Sequence, residues 1–283
     1  MGPSLRGPHD RRDPDHHSIR DDVQAVHRRH GRGHSMTGTA PTVSFDLDGT
    51  LIHGPFSHVL EELDDRVSAE QGHEGTRADV YAIHSALLGT DTMRSYDWES
   101  IVDRYLAEHG LAMPFELIPR LEQIASPQNT VMIHSETSEQ LQRLRTAGWR
   151  TVLLTNGWRR YQVPALRAAS LTHLFDEIVT SDDVGAPKPE RAIFDRARAH
   201  AGTYVHVGDR LDHDVMGGNR AGAGTILLRP DVPPLKAGEE VAYEYLEGQA
   251  RSLAIPAAVP LRDLTPGVMA SSLREVVDHC LGE

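Results

Sequence analysis

The chain has little of what disulfide-stabilised, membrane-spanning and nucleic-acid-binding proteins need. Its one cysteine, Cys280, excludes an internal disulfide and indicates a reducing compartment. Apolar runs stay well short of the ~18 residues that span a bilayer, and the polar N-terminus lacks the apolar segment of a signal peptide. A formal net charge of −12 differs from the basic excess of a general nucleic-acid binder. We therefore expect a cytoplasmic protein that works without a membrane and without a nucleic acid polymer.

Residues 1–40 contain few apolar residues and show no hydrophobic periodicity. Such a segment cannot bury enough apolar surface to offset the entropy of ordering it, so we predict a disordered N-terminal extension. Its six histidines match no tetrahedral metal-site spacing, which favours a solvated tail over a metal site. We expect Met36 to be the natural start. The chain of 283 residues is long enough for one large domain or two modest ones.

Helical spacing of apolar residues dominates the stretch from residue 55 to residue 134. Groups near residues 56–67, 80–88, 101–106 and 115–124 recur at helix spacing, and no strand pattern of useful length interrupts them. An insertion of this size is too large for a connection between two elements. The sequence therefore predicts a small helical domain over residues 55–134.

After residue 135, short apolar strands alternate with helices. The predicted strands lie at residues 151–154, 177–180, 204–207 and 225–228, and a strand near Val43 precedes the helical block. This alternation predicts an α/β fold with a doubly wound parallel sheet that carries helices on both faces. Residues 41–54 and 135–283 would form this core. Beyond Pro230 we expect a proline-containing loop and a final helix near residues 273–281.

Two aspartates, Asp46 and Asp48, end the first predicted strand, and Gly49 and Thr50 break it at once. Side chains two residues apart on a strand point the same way. At ~4 Å and an effective dielectric of about 20, the two carboxylates would repel each other by roughly 4 kcal/mol. A cation between them, or a chemical role for one of them, would explain such a pair; a solvated turn is the other interpretation.

Polar residues also follow the other predicted strands, at the sheet edge where such folds bind ligands. Thr155 and Asn156 end the second strand, Lys188 lies between two prolines at a helix start, and Asp209 and Asp214 follow the fourth strand. These groups are what phosphoryl transfer needs, because its catalysis is mostly positioning and charge neutralisation. A carboxylate can be the nucleophile that forms an acyl phosphate, and Mg²⁺ suits carboxylates and phosphate oxygens.

Four segments in this order resemble the haloacid dehalogenase (HAD) superfamily. They are Asp46-Leu47-Asp48-Gly49-Thr50, Thr155-Asn156-Gly157, Lys188-Pro189-Glu190 and the acidic loop from Asp209 to Asp214. The resemblance covers roughly residues 42–230 and is closest to aspartate-dependent phosphatases whose helical cap follows the first strand (subfamily IA-like). It implies a HAD-like core over residues 41–54 and 135–283 and a cap domain over residues 55–134.

The resemblance also implies a role for each of these residues. Asp46 would attack phosphorus, and Asp48 would first protonate the leaving oxygen and then activate water. Because an aspartate has an ordinary pKa of about 3.9, the surroundings of Asp48 must raise its pKa. The Thr155 hydroxyl and the Asn156 backbone amide would bind phosphate, and Lys188 would neutralise charge. The implied Mg²⁺ ligands are Asp46, the backbone carbonyl of Asp48, Asp209 and Asp214, the last as a direct ligand or an outer-shell partner.

Three alternatives use the same fold. A 2-haloacid dehalogenase attacks carbon and requires neither the second aspartate nor Mg²⁺, so the presence of Asp48, Asp209 and Asp214 favours phosphate. A phosphomutase would keep every catalytic residue and differ in how its cap excludes water. A non-catalytic sensor or interaction protein would be expected to lack one of the catalytic groups, and none is missing.

The expected activity is therefore Mg²⁺-dependent hydrolysis of a small-molecule phosphate ester, with nucleotides and sugar phosphates as the expected substrates, by a monomer or homodimer. Asp212 is expected on the solvent side and His213 at a helix start. Specificity contacts could come from Arg94, Tyr96 and Trp98 in the cap, with core packing as the alternative for the aromatic residues, or from residues 158–160.

Overall fold

The computed structural model describes residues 39–199, 201–233 and 239–283. The predictions for residues 1–38, including Met36 and the six histidines, lie outside the described residues. Across the described ranges, no helix is both long and apolar enough to cross a membrane.

A six-stranded sheet, parallel throughout, forms the centre of the fold. Its order is β5-β4-β1-β6-β7-β8, so the chain leaves β1 toward one side and later returns to its other side. The predicted doubly wound α/β fold is confirmed. The strands are β1 Thr42–Phe45, β4 Arg150–Thr155, β5 Glu177–Thr180, β6 Tyr204–Gly208, β7 Gly224–Leu228 and β8 Val268–Ala270.

Helices cover both faces of the sheet because successive strand side chains alternate between the faces. Leu153 of β4 packs into a cluster with helices α6 (Thr137–Thr146) and α13 (Leu273–Leu281). Its neighbour Leu154 packs on the opposite side with helices α9 (Arg191–Ala197) and α10 (Met216–Ala221). The sheet is thus buried on both sides, as its continuous apolar strands require.

The block inserted after β1 consists of helices with a hydrophobic cluster of their own, which Tyr161 of the core also joins. A two-residue antiparallel ribbon, β2 (Ile52–His53) with β3 (Val131–Met132), joins the entry to this block and its exit. The division into domains stays a prediction. The helices are α1 Phe56–Gln71, α2 Thr76–Leu88, α3 Thr92–Ser95, α4 Trp98–Glu108 and α5 Leu117–Ile124.

The C-terminal part holds more structure than the sequence predicts. The final helix α13 lies where expected, but α11 (Glu239–Ser252), α12 (Leu261–Leu264) and strand β8 precede it. Strand β8 has three residues, too few to show a period of two. The remaining helices are α7 Arg159–Ala168 and α8 Ser181–Val184.

Candidate active site

The turn after β1 brings Asp46 into contact distance of residues that follow other strands. Gly49 adopts a positive φ of 83°, and a Cβ there would lie 2.9 Å from Asp209 Oδ2. Glycine is therefore required both for the turn and for the close approach of the two loops. Thr50 strengthens this junction, because its hydroxyl donates to Asp209 Oδ1 at 3.2 Å.

Three carboxylates and one ammonium meet at the carboxyl ends of the strands. Asp46, Asp209 and Asp214 each place an oxygen within 4.8 Å of the others. Lys188 Nζ donates to Asp46 Oδ1 at 2.7 Å and to Asp214 Oδ1 at 2.6 Å. Lys188 and Asp214 are almost fully buried, with side-chain exposures of 2% and 1%. The sheet thus brings four of the predicted site residues together. We call Asp46, Asp209 and Asp214 the acidic cluster, and Lys188 is its lysine.

The three aspartates of the acidic cluster differ in the direction of their pKa shifts. Burial raises the pKa of Asp46 to about 8, with Lys188 opposing and Asp214 and Asp209 adding to the rise. Burial and the Asp214 charge raise the pKa of Asp209 to about 6. For Asp214, burial favours a higher pKa, but the Lys188 charge and the His206 hydrogen bond outweigh it and lower the pKa below its usual range.

Lys188 stays charged in this environment. Burial of its ammonium favours a lower pKa, but the charges of Asp214 and Asp46 outweigh burial and raise the pKa above its ordinary value. One ammonium against three carboxylates leaves an excess of two negative charges when all are ionised. A carboxylate set with that excess fits a hard divalent cation such as Mg²⁺.

Asp48 lies apart from the acidic cluster. Its Oδ2 accepts a hydrogen bond from Gln162 Nε2 at 2.9 Å, on the first turn of α7. Burial is the largest influence and raises the pKa of Asp48, with the Gln162 and Gly54 donors opposing, although part of the residue is exposed to solvent. A raised pKa is the direction that a general acid requires. The sequence did not indicate Gln162, since a glutamine in a helix has no distinguishing spacing.

Thr155 and Asn156 lie beside the acidic cluster and its lysine. Gly157 N donates to Thr155 Oγ1 at 3.1 Å, which leaves the hydroxyl proton free to donate elsewhere. The Asn156 side chain binds the Lys188 backbone in both directions, accepting from its N–H at 2.6 Å and donating to its carbonyl at 3.1 Å. This clamp fixes the lysine, a function of Asn156 that the sequence did not indicate.

His206 is a second residue that sequence reasoning missed. Its Nε2 lies 3.0 Å from Asp214 Oδ1, its Nδ1 lies 2.8 Å from Ser44 Oγ, and Ser44 Oγ lies 2.8 Å from the Tyr204 hydroxyl. Burial lowers the pKa of His206 although Asp214 opposes it, so the ring is neutral near pH 7. A neutral ring that donates from Nε2 to Asp214 must accept at Nδ1. In the hydrogen-bond chain, the Tyr204 hydroxyl therefore donates to Ser44 Oγ, and the Ser44 hydroxyl donates to His206 Nδ1. A histidine inside an otherwise apolar strand was the signal that could have indicated it.

The loop after β6 places Asp214 through a π-helical turn, Leu211–Val215. Asp214 Oδ2 accepts from Arg210 N at 3.1 Å, and a Cβ on Gly208 would lie 2.1 Å from Asp214 Cγ. Asp212 is part-buried and pairs with the Arg210 side chain at 2.6 Å, which keeps it outside the acidic cluster. His213 is buried in the first turn of the helical segment that begins at Leu211 and continues into α10, in keeping with the expected helix start.

The residues after the Thr-Asn-Gly turn hold the helical block to the core. Arg160 pairs with Asp97 at 2.7 Å and with Glu99 at 2.8 Å, and the Glu99 N–H donates to the Tyr161 hydroxyl at 3.0 Å. Arg159 pairs instead with Asp183.

Arg94 lies at the surface of the helical block. Its side chain is 81% exposed and lies 3.4 Å from its neighbour Asp91. The other two candidate specificity residues in the block, Tyr96 and Trp98, are part-buried.

Comparison with known proteins identifies relatives of the whole region that builds this site. Residues 40–222 match the family model of haloacid dehalogenase-like hydrolases. A glyceraldehyde 3-phosphate phosphatase of Methanopyrus kandleri is 38% identical over 93 residues, which are 31% of this chain and 40% of that protein. The pyrophosphatase PpaX of Halalkalibacterium halodurans is 27% identical over 199 residues, 66% of this chain and 82% of that protein.

The chain thus spans about two fifths of the length of the first curated relatives it matches. Among solved structures, a HAD phosphatase from Thermococcus onnurineus superposes with a TM-score of 0.60 at 23% identity, covering 83% of this chain and 95% of that one. At that identity the likeness shows the fold alone.

Proposed function

Because this chain belongs to the haloacid dehalogenase-like hydrolases, we propose that it hydrolyses phosphate monoesters of small metabolites through an aspartyl-phosphate intermediate. The observation that carries the proposal is the separation of Asp48 from the acidic cluster. Asp46 contacts the buried ammonium of Lys188, whereas Asp48 is exposed and accepts a hydrogen bond from Gln162. Two aspartates in different environments can play the two different roles that this reaction needs.

In the first step, an Asp46 oxygen attacks phosphorus and the bond from phosphorus to the leaving oxygen breaks. Asp48 donates its proton to that oxygen and becomes a carboxylate. Lys188 neutralises charge on Asp46 and on the phosphoryl oxygens, and the Thr155 hydroxyl donates to one of those oxygens. Asn156 keeps Lys188 in place throughout.

In the second step, the Asp48 carboxylate takes a proton from water as the water oxygen attacks phosphorus. The bond between phosphorus and the Asp46 oxygen breaks, which releases phosphate and restores both aspartates. Asp46, Asp209, Asp214 and the backbone carbonyl of Asp48 would hold Mg²⁺. When bound, that ion supplies positive charge that offsets the phosphate and the acidic cluster.

A 2-haloacid dehalogenase would not need the proton that Asp48 carries, and a phosphomutase would move the phosphoryl group within its substrate.

The cytoplasmic location, the cap domain over residues 55–134 and a monomeric or homodimeric state remain further predictions. Small phosphate esters are the proposed substrates, in keeping with the name of the glyceraldehyde 3-phosphate phosphatase.

The direct test is release of inorganic phosphate from an aryl phosphate with and without Mg²⁺. We expect a chelator to lower the rate on the order of 100-fold or more, because the acidic cluster repels the phosphate when no cation offsets it, and added Mg²⁺ to restore it. Activity that is unchanged by the chelator would contradict the proposed metal dependence. Transfer to a second position of a sugar phosphate without free phosphate would indicate a mutase.

His206 should lower the Mg²⁺ concentration that the protein needs for activity, because it holds Asp214 in place. Because His206→Phe removes the donor to Asp214 Oδ1, we expect the Mg²⁺ concentration for half-maximal activity to rise about tenfold or more. His206→Gln, which returns an N–H donor, should restore most of the loss. Tyr204→Phe removes only the far end of the hydrogen-bond chain and is the matched control. An unchanged Mg²⁺ requirement in His206→Phe would show that this chain does not act on the site.

A further inference from the structure

An aromatic cluster in the helical block has no part in the two steps described above. Trp98 is its centre, with ring centroids at 4.5 Å from His84, which stacks on it, 5.2 Å from Phe56 and 5.8 Å from Tyr81. Tyr96 completes the cluster at 5.5 Å from His84. We use the term aromatic cluster for these five residues.

The aromatic cluster is joined to Asp48 through two short chain segments. A Cβ on Gly54, two residues before Phe56, would lie 3.1 Å from Asp48 Oδ1. On the other side, Gln162 donates to Asp48, and its chain neighbour Tyr161 places its ring 5.2 Å from the Phe56 ring. Gly54 and Gln162, which both lie next to Asp48, thus precede Phe56 by two residues and follow Tyr161 by one residue, respectively, and the Phe56 and Tyr161 rings contact each other. This places the Phe56 end of the aromatic cluster near Asp48.

The charges of Asp46 and Asp48 also act on two members of the aromatic cluster, Tyr96 and Tyr81. Burial raises the pKa of Tyr96 and the Asp46 charge adds to this, and the Tyr96 hydroxyl lies beside the Asn156 side chain. Burial also raises the pKa of Tyr81, with a contribution from the Asp48 charge. Tyr96 therefore lies on the side of Asp46 and Asn156, and Tyr81 lies on the side of Asp48.

The rings are not sealed into the core. Tyr81 is 37% exposed, and Phe56, His84 and Trp98 are only partly buried. Packing inside the helical block explains the contacts within the cluster but leaves an accessible aromatic surface next to the residue that protonates the leaving group. Aromatic surfaces of this kind stack on planar rings, including nucleobases.

We propose that the aromatic cluster is a subsite for the leaving group and that it selects phosphate esters carrying a planar aromatic ring, stacked on Tyr81 and Trp98. This inference rests on the proposed phosphatase function and names its substrate class. Two sources share that chemistry: a nucleoside monophosphate, whose ring lies beyond a sugar, and a small aryl phosphate, whose ring adjoins the ester oxygen. An aliphatic ester would leave the stacking surface unused.

Paired substrates test the inference. Uridine and adenosine 5′-monophosphate differ from ribose 5-phosphate by the base. Phenyl phosphate differs from glycerol phosphate in having a ring and in having a better leaving group, so for this pair the effect of stacking is judged from the change in Tyr81→Leu. We expect kcat/KM for at least one ring-bearing substrate to exceed that of its ring-free partner about tenfold or more. Tyr81→Leu should remove most of that preference by lowering kcat/KM for the ring-bearing substrate more than for its ring-free partner, and Tyr81→Phe should retain the preference.

The control variant is Tyr243→Leu on α11, a tyrosine of similar exposure at 45% that is not part of the aromatic cluster. Loss of preference in Tyr81→Leu for the nucleotides indicates a nucleoside subsite, and loss for phenyl phosphate indicates an aryl subsite. Equal rates on ring-bearing and ring-free esters, or an equal loss on both in Tyr81→Leu, would overturn the inference while leaving the phosphatase intact. No phosphate release from any ester would instead reject the phosphatase function itself.

Discussion

Asp46→Asn is expected to abolish phosphate release, with kcat falling on the order of 10⁴-fold or more. The amide keeps the shape of the carboxylate and can still accept from Lys188 Nζ, which lies 2.7 Å from Asp46 Oδ1. It has no anionic oxygen to attack phosphorus, so the first step fails. The measurement is single-turnover phosphate release from an aryl phosphate with saturating Mg²⁺.

The same variant should not lose stability, which separates a catalytic loss from unfolding. Burial and neighbouring carboxylates raise the folded-state pKa of Asp46 to about 8, above the ordinary value of 3.8. A carboxyl whose pKa is higher in the folded state reduces stability as pH rises above its unfolded pKa. A neutral asparagine removes that cost near pH 7, so we expect an unchanged or higher Tm in metal-free buffer.

Asp212→Asn is the matched control, because Asp212 lies two residues from Asp214 but pairs with Arg210 outside the acidic cluster. It should retain activity within a few-fold. If Asp46→Asn retained activity within tenfold of the parent protein, the assignment of Asp46 as nucleophile would be wrong.

Asp48→Asn should fail differently. With an aryl phosphate whose leaving group needs little protonation, the first step continues and the second lacks its base. We therefore expect one burst of phenol and a protein mass increased by one phosphoryl group.

Lys188→Met is expected to cost both activity and stability. The substitution keeps most of the length of the side chain but leaves Asp214, with 1% side-chain exposure, buried without its ammonium partner. Removing one partner of a buried ion pair costs about 3–5 kcal/mol, which for a protein of this size corresponds to a Tm lower by roughly 10 °C. Loss of charge neutralisation should lower kcat/KM about 100-fold or more.

A difference in the response to Mg²⁺ distinguishes this effect from a general packing defect. Without Lys188, the acidic cluster has a larger excess of negative charge, so Mg²⁺ should raise the Tm of Lys188→Met more than that of the parent protein. Arg191→Met is the control, since Arg191 forms an exposed pair with Asp195 and should change the stability little. Equal Tm values for Lys188→Met and the parent in chelator would contradict the proposed role of the lysine.

The sequence was sufficient to predict the fold and the proximity of the acidic residues. The proximity could be predicted because it follows from the topology of the sheet. Asp46 and Asp209 directly follow strands of one parallel sheet, whose carboxyl ends share an edge. The position of the helical block followed from the change between a helical and a strand-helix pattern. Family membership followed from the order of the four motifs and is shown by the match over residues 40–222.

Contacts that depend on the exact path of a helix or loop could not be predicted. Gln162 extends from the first turn of α7 to Asp48 and passes Gly157, where a Cβ would lie 1.9 Å from Gln162 Nε2. No residue spacing in the sequence encodes that direction. His206 and the Asn156 side chain act on neighbours that are distant in sequence. The predicted roles of the site residues stay predictions until the variants above are measured.

The ammonium of Lys188 can also be used as a magnetic resonance probe of the site. Two of its 29 lysine and arginine residues are lysine, so isotope labelling of lysine side chains would give two ammonium signals in the whole protein. The Lys188 side chain is 2% exposed, which shields its protons from exchange with water. One resonance should therefore follow the arrival of cation and phosphate directly, without any substitution at the site.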